Sequence, residues 1–236
     1  MEKEYLTIEE NLDIINKNIQ ASCERASRDN GVILLAASKM NSAEAINFAI
    51  SKGLKYIGEN KVQELLEKYD AIDKDNVTIH FIGHLQSNKV KYIIDKVDMI
   101  QSLDSLSLAK EIDRQAKKHG IVMKVLVEIN VAMEESKSGI SPDEVESFLE
   151  EVSKFENIRV MGLMSIPPIM TDKETQRKIF KKIYQIYVDI SQKNIHNISM
   201  TYLSMGMSDD YDIAVEEGAN IVRVGTALFG RRNYNK

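Results

Sequence analysis

The sequence predicts a closed (β/α)8 TIM barrel with an extra N-terminal helix, and three observations predict it. After an opening helical stretch, short apolar runs alternate with longer segments of helical period, the pattern of a parallel sheet with crossover helices. The runs number eight and the chain has 236 residues, close to the roughly 250 that such a barrel takes. A glycine-rich signature follows the last two runs, whereas an open doubly wound sheet, the runner-up, would carry its phosphate signature after the first. No linker, low-complexity tract or composition break divides the chain, so residues 1–236 read as one domain.

The opening helix is expected from Thr7, whose hydroxyl can cap while Glu10 reaches back, with Leu12, Ile15 and Ile19 forming an apolar stripe as far as about Arg28. It should pack outside the sheet. Strands are expected from Val32 (VILLAA), Lys55 (KYIG), Thr78 (TIHFIG), Met99 (MIQSL), Lys124 (KVLVEIN), Val160 (VMGLMSI), Thr201 (TYLSM) and Ile221 (IVRVGT). Helix starts are read at Asn41, Ser87, Ser105, Ser141 with Pro142, Thr171 and Ser208. Pro167 and Pro168 serve as a stop after the sixth strand.

Composition narrows the function classes. Hydrophobic residues at 43% and charged residues at 28% describe a folded chain, and the formal net charge of −5 gives no general pull towards nucleic acid or an anionic membrane. The acidic N-terminus and the lack of an apolar run of about 20 residues give no support to secretion or membrane spanning. Cys23 is the one cysteine, and the four histidines show no zinc-ligand spacing, so no metal is expected and a reducing cytoplasm fits best.

In this barrel the chemistry belongs at the carboxyl ends of the strands. The first strand delivers Lys39, the second Glu59 and Asn60, the third His84; the fifth carries Glu128 and Asn130 on its inward face, opposite Val125, Val127 and Ile129. Ser204, Gly206 and Ser208 follow the seventh strand, and Gly225, Thr226 and Gly230 follow the eighth. Glycines let backbone approach an anion, and unpaired amides at helix starts attract one, so a phosphorylated ligand is inferred. Arg223 shares a face with Ile221 and Gly225 and points into the barrel, where it requires a partner. A lysine amine in a partly desolvated or cationic setting forms a Schiff base with an aldehyde, and a phosphate grip opposite Lys39 suits pyridoxal 5′-phosphate. Plainer readings apply to other residues. Asp209 and Asp210 are first-turn acids, His84 is a strand-end histidine, Met164 and Met207 fill the core near the mouth, and the loop around Lys137 is solvated.

Several segments together carry a family resemblance: AASK around Lys39, YIGENKVQE from Tyr56, HFIGHLQSNK from His80, SKSGI from Ser136, VMGLMSI from Val160, LSMGMSDD from Leu203 and VRVGTALFG from Val222. They span almost the whole chain, which resembles the pyridoxal phosphate homeostasis proteins of the YggS/PROSC type, related in fold to the N-terminal domain of alanine racemase. The resemblance implies pyridoxal 5′-phosphate held as a covalent imine on Lys39. It assigns the phosphate to Ser204, to the backbone around Gly206 through Met207 and Ser208, and to Gly225 and Thr226. Arg223 resembles the partner of the pyridine nitrogen, the phosphate being its alternative acceptor; Asn60 resembles a residue on the cofactor face, and Met164 and Ser165 residues beneath the ring. Where the family often places a proline soon after the lysine, this chain has Met40 and Asn41, so the first loop is expected to take its own shape. The implied role is intracellular buffering or delivery of the cofactor by a monomer, with apo-enzymes as recipients and no robust catalysis. The alternative is a pyridoxal-phosphate-dependent amino-acid racemase or a Schiff-base lyase.

Overall fold

A computed structural model describes residues 2–29, 31–132, 138–168, 170 and 172–230. In chain order its elements are α1 (Glu2–Arg25), β1 (Ile33–Ala37), α2 (Ala43–Ser51), β2 (Tyr56–Glu59), α3 (Val62–Lys68), β3 (Thr78–Phe81), β4 (Met99–Leu103), α4 (Leu106–His119), β5 (Met123–Ile129), α5 (Val145–Val152), β6 (Ile158–Ser165), α6 (Lys173–Ser191), β7 (Ile198–Ser204), α7 (Tyr211–Glu216), β8 (Ile221–Val224) and α8 (Thr226–Phe229). The eight strands follow one another around a closed parallel barrel, and β1 meets β8 with Leu35 beside Arg223. All eight expected strands are present.

Strand alternation builds the core. Ala36, Ile57, Phe81, Val125, Val127, Val222 and Val224 face the helices in one continuous apolar layer. The opposite faces plug the barrel twice, with Leu35, Ile82 and Ile221 in one cluster and Met99, Leu126 and Met164 in another. In β6 the pairing register shifts between Val160 and Gly162, where Gly162 has φ +146°. That irregularity turns both Met161 and Met164 inward while Leu163 faces the helices.

Several helix boundaries differ from expectation. The first helix begins at Glu2, so Thr7 lies inside it rather than capping it, and it ends at Arg25. Its buried stripe of Ile8, Leu12, Ile15, Ile19 and Cys23 packs outside the barrel against α7 and α8. Asn11 Nδ2 donates to Leu228 O, and Asn18 Nδ2 to the Tyr211 hydroxyl. Ser42, not Asn41, caps α2, its hydroxyl accepting from the Ala45 amide. Residues Ser87–Tyr92 form a 3-10 helix that Gln86 leaves without a side-chain cap. Asp172 caps α6 through the Glu174 and Thr175 amides, and Thr171 lies outside the described residues. Ser105 and Ser141 open their helical segments as read. Among the described residues no helix is long and apolar enough to cross a membrane.

Candidate functional site

The carboxyl end of β1 and the loops after β7 and β8 enclose a cavity of about 220 Å³, whose wall includes Lys39, Met207, Ser208, Arg223, Gly225 and Thr226. Lys39 reaches it by alternation: Ile33, Leu35 and Ala37 face the barrel interior, and Lys39 is the next residue of that parity. The residue is half-buried, and its amine has no hydrogen bond or ion pair among the described residues.

Ser208 was expected to cap the helix that follows it. Its hydroxyl instead crosses to the next strand-end loop and accepts hydrogen bonds from the Gly225 and Ala227 amides, both at 3.2 Å. Two main-chain donors thus converge on one oxygen beside Lys39. Gly225 keeps that approach open, since a Cβ there would come within 3.3 Å of the Ala37 Cβ and carbonyl oxygen. Gly206, at φ +91°, sits just behind the rim and accepts from the Arg223 amide. Asp210, expected in the first turn of its helix, is the N-cap residue of α7 and a buried rim anchor: its carboxylate accepts from the Met207 amide at 2.6 Å and from Gln176 Nε2 at 3.1 Å. Burial raises its pKa against the Met207 amide bond and the pull of Arg223.

Arg223 is 4% exposed. Nη1 donates to Ser204 Oγ at 2.7 Å and Nη2 to Ser165 O at 2.8 Å. Burial lowers its pKa to about 10, with Glu128 and Asp210 pulling upward. Ser204 Oγ in turn donates to Gln101 Oε1, and Gln101 Nε2 lies 2.8 Å from His80 Nδ1. His80 is pushed down to about 4 by burial and then by Lys124, so it is neutral and its Nδ1 is free to accept. A polar chain therefore crosses the barrel floor from β8 to β3.

Of the predicted residues, Lys39, Met207, Ser208, Arg223, Gly225 and Thr226 share the cavity. Ser204 and Ser165 lie beneath it as partners of Arg223, and Met164 is fully buried in the interior plug. Asn60 stands apart, lining two neighbouring cavities of about 450 and 260 Å³. Its Oδ1 is buried without a partner. Across the smaller of these, Glu128 is 8% exposed, and burial and then Asp104 raise its pKa to about 7 against Arg223 and His84. His84 Nδ1 lies 3.2 Å from both Asp104 Oδ2 and Ser138 Oγ. Sequence reasoning missed Gln101; a glutamine between Ile100 and Ser102 in an otherwise buried strand was the available signal. Lys137 lies outside the described residues, and among those described no cluster of His, Cys, Asp or Glu could hold a metal ion.

Residues 11–233 match the family of the alanine racemase N-terminal domain. A pyridoxal phosphate homeostasis protein of Aquifex aeolicus is 45% identical over 226 residues, covering 95% of this chain and 98% of that one. The chain belongs to the pyridoxal phosphate homeostasis protein family. Within solved structures, PipY of Synechococcus elongatus with PLP bound is similar at a TM-score of 0.82 and 32% identity, over 94% of this chain and 100% of that one. Alanine racemase of Clostridium difficile 630 has a TM-score of 0.74 at 17% identity, over 97% of this chain and 58% of that one, and this likeness extends to the fold alone.

Proposed function

We propose that this chain binds pyridoxal 5′-phosphate on Lys39 and serves in its homeostasis, holding and releasing the cofactor rather than turning over a substrate. The observation that carries this is the convergence, in one cavity of about 220 Å³, of an unpaired amine with the neighbourhood of the Gly225 and Ala227 amides. Each part of the cofactor finds a complementary group. The aldehyde calls for a primary amine, which is Lys39. The phosphate calls for a cluster of donors, and rotation of Ser208 about χ1 frees two amides while its own hydroxyl and that of Thr226 stay within the wall. The ring nitrogen calls for a polar partner, and Arg223 offers donors only.

When bound, the cofactor supplies an aldehyde that condenses with amines and a ring that withdraws electrons from the product. The protein supports carriage more than catalysis. A cationic guanidinium beside the ring nitrogen opposes its protonation and so weakens electron withdrawal. Asp210, the buried carboxyl of the wall, is committed to the Met207 amide and Gln176 and is not free to move a proton at a reacting carbon. The reading takes residues 1–236 as one cofactor-binding domain. The reading also takes the protein to act as a monomer, and the buried, unpaired Cys23 suits a reducing cytoplasm. Recipients are apo-enzymes that need the cofactor.

Proton NMR in D2O separates carrier from enzyme. Loaded protein mixed with alanine, serine or another amino acid should exchange the α-proton no faster than free cofactor does. Exchange at enzymatic rates would replace this reading with a racemase, and borohydride trapping of a sugar phosphate without cofactor would replace it with a lyase.

A further inference from the structure

The loop that carries Lys39 is held by charged residues from two neighbouring elements. Glu59, at the end of β2, is 0% exposed; its Oε1 accepts from Ser38 Oγ at 2.6 Å and from Lys68 Nζ at 2.6 Å. Lys68, in α3, also donates to Ser38 O at 3.1 Å and Asn41 O at 3.3 Å. An ammonium has three donors, and all three of Lys68 are spent here, two of them on carbonyls that bracket Lys39 and Met40. Glu64, one turn earlier in the same helix, accepts from the Met40 amide at 2.9 Å. Met40 has φ +63°, a left-handed conformation that a non-glycine residue rarely takes without external support. Three side chains from β2 and α3 thus bond three of the four residues 38–41, and the Lys39 side chain has no bond among the described residues.

We propose that Lys68, Glu59 and Glu64 are positioning residues for Lys39, locking the 38–41 loop in the conformation that presents its amine to the cavity. The proposal rests on the reading that Lys39 carries the cofactor. It explains why a lysine and a fully buried carboxylate lie behind the reactive strand end. A pair serving only the packing of α3 would not need to direct two of its three ammonium bonds to the carbonyls of this loop. Because an amine must meet the aldehyde carbon along a defined line, a small displacement of the loop is expected to weaken capture without unfolding the barrel.

Two variants test this. Glu64→Ala removes the bond to Met40 and leaves the buried pair intact, while the double variant Glu59→Gln with Lys68→Met removes both charges together and avoids a lone buried ion. In protein free of cofactor, hydrogen exchange at the Met40 and Asn41 amides should accelerate roughly tenfold while exchange in β5 and β6 is unchanged. The apparent dissociation constant for pyridoxal 5′-phosphate, read by absorbance, should rise about tenfold. Exchange and affinity both equal to those of the unmodified protein would overturn the proposal, as would faster exchange with unaltered affinity. If the unmodified protein captures no cofactor on Lys39, the functional reading fails separately, and the exchange rates alone then decide whether these residues hold the loop.

Discussion

Arg223 links the opposing sides of the barrel mouth, because its buried charge is sensed by Asp210 on one side and Glu128 on the other. Among the described residues no hydrogen bond holds the ionised form of Glu128, so burial prevails and the carboxyl titrates near 7 against an ordinary 4.5. Between those values the folded state holds more protons than the unfolded chain, and stability is lost as pH rises through the window. His80 acts oppositely. Its pKa falls from 6.5 to about 4, so the unfolded chain holds more protons there and stability rises with pH across that interval. The two slopes overlap and largely offset one another. Glu128→Gln should therefore expose the His80 slope below about pH 6.5 and stabilise the protein at about pH 8 by roughly 1–3 kcal/mol. Urea midpoints measured from about pH 5 to 8 check this; a variant with the pH profile of the unmodified protein would show that Glu128 ionises normally.

The informative element is β6. Most strands follow simple alternation, which is why β5 and β8 could be assigned inward and outward faces from Val125 and Val222 and their neighbours. In β6 the bulge breaks that phase, and the glycine that permits it reads in sequence as one more small residue between Met161 and Leu163. A Cβ on Gly162 would lie 1.8 Å from Tyr202 O, on top of a positive φ. Gly162→Ala should accordingly cost roughly 2–5 kcal/mol, visible as a lower denaturation midpoint. An unchanged midpoint would mean that β6 and β7 can separate at no cost. Helix starts were less legible than strands because neighbouring capping residues compete. Ser42 displaced Asn41 by one position, and Ser208 turned from its own helix to two amides 17 and 19 residues further on, at the start of α8.

For the molecule as a whole, closure of the barrel makes the site. The chain returns β8 to β1 so that Arg223 lies beside Leu35, which places Lys39 and Gly225 on one rim although 186 positions separate them. The N-terminal helix supports that rim from outside through Asn11 and Asn18, which bond to α8 and α7. Lys39, Ser208, Arg223 and Gly225 could be read from sequence because strand ends in this architecture carry the chemistry. The buried chain through Ser204, Gln101 and His80 could not, since it joins residues that are distant in sequence and acquire partners only when the barrel closes. The central claim is that Lys39 is the amine that holds pyridoxal 5′-phosphate. The most direct test is to mix the purified protein with the cofactor, reduce it with borohydride, and map the modified peptide by mass spectrometry. The account predicts one pyridoxyl group, on Lys39, and none at any site in Lys39→Ala. A stoichiometric adduct on another lysine, or none at all, would contradict it.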